Sequence, residues 1–180
     1  MNLNYKTLMG RKDISMSRLT RGASRTFLDS SFGSGTTKWW RMGKYTDEMS
    51  VSLNPDISVN KNVWDETYTE DNGYEPSMDS QTYYADPTDA IYPKIRDIAM
   101  NRKKGDDCKT SILEVIIEDT EAAKHRAWKE DVIVKVEEYG GGTAGFTLPF
   151  SVHFDGNRKE GSVTIADGEV TWSDEKVATL

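Results

Sequence analysis

Cysteine is almost missing from this chain. Of 180 residues only Cys108 is a cysteine, so no disulfide can form within it. Histidine is nearly as scarce, with His125 and His153 alone. His153 and Asp155 share one side of a strand at i and i+2, but two ligands are too few for a metal site. No run of residues is apolar and long enough to cross a bilayer, and the opening MNLNYKTLMGRKD lacks the apolar run of a signal peptide. The expectation is a protein made in a cytoplasm that needs no membrane. The G-x-S-x-G elbow, the Walker sequence and the G-x-G-x-x-G fingerprint are all absent. Cys108 follows two aspartates, neighbours that do not favour a reactive thiolate, and it reads as an inert cysteine.

Positive charge is also in short supply, but unevenly so. The net charge is -7, yet up to Lys44 nine basic residues face only Asp13 and Asp29. A basic segment, residues 1–44, is thus joined to an acidic body, residues 45–180. The segment is rich in Ser, Thr, Gly and Arg and reads as an extended arm. It still holds Phe27, Leu28, Phe32, Trp39 and Trp40, more aromatics than a disordered tail carries, so it is expected to order against its own domain or a neighbour.

What is present is alternation. EMSVSL, SMDSQTYYA, SILEVIIE, AWKEDVIVKVEEY and FTLPFSVHF read as strands, and DGNR as a turn. EGSVTIADGEVTW reads as a hairpin turning at Asp167-Gly168. Residues 54–76 form a long acidic loop or a protruding hairpin. One segment breaks the pattern. From about residue 87 to 104, Ile91, Ile95, Ile98 and Ala99 fall at i, i+4, i+7 and i+8, the stripe of an amphipathic helix. Asp86 or Thr88 caps it, Pro87 and Pro93 sit in its first turn, and Arg102 to Lys104 with Gly105 close it. About eight strands and one helix make a mainly β fold, an antiparallel sandwich or barrel with one flanking helix.

Carboxylates cluster at Asp65-Glu66, Glu70-Asp71, Asp106-Asp107, Glu118-Asp119-Glu121 and Glu130-Asp131. Any pair could supply a glycosidase acid and base, but a solvated acidic surface is the commoner meaning, and no metal, cofactor or catalytic residue is assigned. Trp39 and Trp40, adjacent on a strand, point to opposite faces, so one of them is expected at an interface.

Four segments carry a resemblance: MGRKDISMSRLTRG, RMGKYTDEMSVSLNPDISVNKNVW, YEPSMDSQTYYADPTDAIYPKIRDIAMNRKKGDD and PFSVHFDGNRKEGSVTIADGEV. In this order they resemble major tail proteins of long, non-contractile phage tails. Residues 22–40 depart from that pattern. The resemblance implies a tube protein similar in fold to the type VI secretion tube subunit, in hexameric rings stacked around a channel. It further implies a tape measure protein in the lumen during assembly, distal tail and tail terminator proteins as partners, and DNA passing without specific binding. The place of action is then the virion tail, after synthesis in a bacterial host, and the role is structural. On the charges, Arg11, Arg18 and Arg21 are expected to meet the acidic loop of a neighbour at Asp65, Glu66, Glu70 and Asp71. Trp39, Trp40 and Trp64 are further contacts between subunits. Glu137 and Glu138 are expected to line the channel, where carboxylates repel phosphate. The alternative is a β-sandwich of the distal tail that binds a glycan or a protein through its tryptophans.

Overall fold

The computed structural model describes residues 18–44 and 48–177. Ten strands and one helix follow in order. They are β1 (Ser24–Asp29), β2 (Trp39–Arg41), β3 (Val51–Ser52), β4 (Pro55–Lys61), β5 (Thr67–Tyr74), β6 (Ser77–Gln81), α1 (Tyr92–Asn101), β7 (Lys109–Ile116), β8 (His125–Val136), β9 (Phe150–Ala166) and β10 (Glu169–Ser173). All but β4 and β5 join one antiparallel sheet in the order β2-β1-β7-β8-β9-β6-β3, with β10 also on β9. The fold is mainly β, with a single helix among the described residues.

The sheet is buried on both faces, and the sequence shows why. Neighbouring residues on a strand point to opposite sides. Leu28 and Ile112 enter one apolar cluster, while Phe27 and Leu113 enter another. The first cluster lies under α1. Ile91 and Ile95 are inaccessible there, packed with Tyr83, Phe150 and Val134, and Ile98 is also buried; Ala99 is partly buried against the same group. Each buried isoleucine stabilises the fold by roughly 1.5–3 kcal/mol. Among the described residues the second cluster has no helix over it. Its cover comes from the sheet's own flanks, Trp39 of β2 and Val170 and Trp172 of β10.

Four details differ from the sequence reading. The helix is shorter than residues 87–104. Asp86 caps a tight turn instead, its carboxylate accepting the Thr88 N–H at 2.9 Å and the Thr88 hydroxyl at 2.6 Å. Pro93 does sit in the first turn. The helix closes on Arg102 in the left-handed region at φ 50°, three residues before Gly105. DGNR is not a turn between strands. Asp155 to Arg158 lie inside the 17-residue β9, where Gly156 and Asn157 take positive φ and the β8–β9 register slips. A bulge absorbs the kink there, because β8 holds its partner on both sides of it.

The basic segment is the fourth. Over Ser24–Arg41 it belongs to the sheet, with β1 between β2 and β7. Asp29 ties its turn down, accepting backbone N–H groups of Ser31 at 2.9 Å and Lys38 at 3.1 Å. Residues 1–17, and with them Arg11, lie outside the described residues.

Candidate assembly surfaces

The acidic stretch 54–76 is a hairpin that forms its own two-stranded sheet. Register places Ile57, Val59 and Lys61 beside Asp71, Thr69 and Thr67 on one face, and Ser58 and Asn60 beside Glu70 and Tyr68 on the other. Ile57 and Val59 are exposed, as are Tyr68 and Tyr74. At the tip Val63 is 96% exposed and Trp64 78%. Such a concentration of exposed apolar side chains is the signature of a contact surface.

The tip is nonetheless ordered, and Asn62 orders it. Its side-chain oxygen accepts the N–H groups of Trp64 at 2.9 Å and Glu66 at 3.0 Å, and its amide donates to the Glu66 carboxylate at 2.9 Å. Its backbone accepts the Asp65 N–H at 3.0 Å, with Asp65 in the left-handed region at φ 65°. Asn and Asp are the residues that build such turns. The organising role of Asn62 was legible only as a turn-prone residue type.

A basic hollow of about 150 Å³ opens where the N-terminal segment enters the sheet, lined by Arg21, Arg25, Arg41, Met42 and Met49. Arg21 donates to the carbonyls of Ser24 at 2.7 Å and Met49 at 2.8 Å. Arg25 and Arg41 make no ion pair among the described residues. Arg41 was not singled out from sequence, because the β1–β2 pairing is what brings it to the strand that carries Arg25. Arg18 is exposed just before this hollow.

Trp39 and Trp40 do point to opposite faces. Trp39 packs on the second cluster with Lys129 over its ring, and Trp40 packs on the first, edge-on to Tyr83 with centroids 5.7 Å apart. Both keep part of their surface in water. Burial raises the pKa of the Tyr83 hydroxyl, and Asp89 adds to the effect.

Glu137 and Glu138 follow β8 directly and are exposed. They form a ridge between two open hollows. One, about 490 Å³, lies against the C-terminal end of α1; the other, about 350 Å³, lies against Thr82, Thr147 and Pro149.

The groups with catalytic potential are otherwise engaged. Asp155 pairs with Lys109 at 3.2 Å, and the ring of exposed His153 lies 3.2 Å from the Ser151 hydroxyl. Glu114 and Glu130 share Arg158 at 2.8 and 2.7 Å. Glu160 sits between Arg126 and Lys176, which hold its carboxyl below the usual range, Arg126 first. Cys108 is buried with the Lys135 amine 3.5 Å from its sulfur. Among the described residues, no group of three or more His, Cys, Asp or Glu is placed to hold a metal ion.

No family model matches the chain, and no curated protein does. The SPP1 tail tube, determined by solid-state NMR and cryo-EM, is a solved structure that aligns over most of both chains. The TM-score is 0.55 and the identity 16%, covering 84% of this chain and 82% of that one. At that identity the likeness is one of fold, and the chain has the fold of a phage tail tube protein.

Proposed function

We propose that this protein is a structural subunit of a phage tail tube. Copies close into hexameric rings, the rings stack, and the channel so formed encloses a tape measure protein during assembly and passes DNA at ejection. The observation that carries the reading is the fold shared with the SPP1 tail tube over most of both chains. The strands β2, β3 and β10 supply a physical reason for assembly. Each has one ladder partner among the described residues, so each offers an open edge there. Open edges invite pairing with another copy. A heterologous contact that closes makes a ring, and one that repeats along an axis makes a filament.

On this reading Arg18 and Arg21, with Arg11 of the N-terminal segment, meet the hairpin acids Asp65, Glu66, Glu70 and Asp71 of an adjacent subunit. The partly exposed Trp39 and Trp40 and the exposed Trp64 are covered by neighbours. The ridge of Glu137 and Glu138 faces the channel, where its charge keeps DNA sliding and unbound. Distal tail and tail terminator proteins cap the two ends, and the site of action is the virion tail.

Negative-stain electron microscopy of the purified protein tests the reading. Rings or tubes support it. A strict monomer at every concentration removes it and favours a distal-tail module that binds a glycan or a protein through Trp39, Trp40 or Trp64. Deleting residues 1–20 is expected to leave a folded monomer that no longer polymerises. Replacing Glu137 and Glu138 by lysine is expected to leave tubes intact and slow DNA ejection from particles carrying them, because lysines displace DNA counterions and hold the strand.

A further inference from the structure

We propose that the hairpin tip is a plug, and that its socket is the hollow at the C-terminal end of α1 in a second copy of this chain. The inference rests on the assembly reading and adds which two surfaces meet.

The plug is built in advance. Trp64 stands 78% exposed on a turn whose backbone is fixed by three hydrogen bonds to the Asn62 side chain and main chain, from Trp64, Glu66 and Asp65. Ordering a side-chain platform before contact removes part of the cost of binding. Tryptophan is also among the residues that most often anchor an interface.

The socket has the matching chemistry. The hollow of about 490 Å³ is walled by Ile98, Ala99, Val136 and Tyr139, with Arg102 and Lys135 on its basic side. Its size suits an indole with adjoining side chains. Arg102, turned out by its left-handed backbone, makes no ion pair among the described residues. It is available to lie over the indole face and to meet Asp65 or Glu66 beside it. Lys103 at the same corner is paired with Asp97 at 3.9 Å and Asp107 at 3.6 Å, so Arg102 is the cation left for a partner. The hairpin, with Asp65, Glu66, Glu70 and Asp71 against the single cation Lys61, is acidic, and acid opposite this basic side sets the orientation of the plug.

The test uses the full chain. Val63→Cys combined with Ala99→Cys is treated with a short bismaleimide after assembly; Cys108 is buried and out of reach. The expected result is a ladder of cross-linked oligomers that neither single variant gives. Trp64→Ala is expected to raise the concentration needed for assembly on the order of 30-fold, the scale of an interface anchor. Arg102→Glu should raise it by a smaller factor. Both positions are exposed, so an unchanged melting temperature verifies that the variants are folded. If the wild type assembles but Trp64→Ala assembles at the same concentration, or the double cysteine variant gives no ladder, the plug and socket are overturned while the tube reading stands. If the wild type stays monomeric, both fall.

Discussion

The eight-stranded body and the two-stranded hairpin follow opposite rules of burial. In the body, adjacent residues such as Ile112 and Leu113 are inaccessible on two different faces. In the hairpin Ile57, Val59, Val63 and Trp64 all face water. Both regions are antiparallel and hydrogen-bonded in register, so backbone pairing does not separate them. What separates them is where the apolar surface is spent. The body uses it to hold the chain together, and the hairpin keeps it for a contact outside the chain.

The contrast is sharpest in how each region tolerates change. Phe150→Ala should cost about 4 kcal/mol of stability, measured by denaturant unfolding, since Phe150 is inaccessible and packs edge-on to Tyr83. Gly161→Ala should cost about 2 kcal/mol. A methyl group there would lie 2.3 Å from the Ser173 carbonyl and 2.6 Å from the Trp172 ring, and β10 must shift to admit it. A melting temperature equal to wild type would show that β10 is not packed as described.

Acid gives a smaller effect, confined to the same edge. Glu160 is held below its ordinary value of 4.5 by Arg126 and then Lys176, and Glu175 is held below the same value by Lys124. Their folded-state values are depressed, so what they contribute is present above pH 4.5 and fades as pH falls through the lower folded values. Trp172 fluorescence should therefore change below that point before the far-ultraviolet circular dichroism does. The pairs are exposed and individually weak.

The smallest effect belongs to the hairpin. Ile57→Ser and Val59→Ser should move monomer stability by less than about 0.5 kcal/mol, because both side chains are already in water. A loss of several kcal/mol from either would mean that the hairpin is packed on the body, and the contrast would dissolve.

Periodicity made part of this legible. The stripe Ile91, Ile95, Ile98 and Ala99 and the alternation of Val132 and Val134 carry their burial in their spacing. Asp167-Gly168 names its turn, with φ 51° and 83°. β1 was not legible as a strand, because Thr26 to Asp29 are buried in succession and show no alternation. The bulge at Gly156 and Asn157 was hidden for another reason. A Gly-Asn pair carries the same conformational preference whether it reverses the chain or kinks one strand, and the continuing partner β8 decides which. The candidate surfaces divide in the same way. Hairpin acids and tryptophans stand out by composition, whereas the meeting of Arg21, Arg25 and Arg41 and the hollow beside Ala99 are products of tertiary structure.

β9 keeps β8 along one flank for nearly its whole length, while β6 and then β10 take turns on the other. Both apolar clusters therefore share a single backbone rod, and neither can melt alone. Heat should remove them in one transition, and a pull on β10 is relayed by main-chain bonds to the layer beneath the helix.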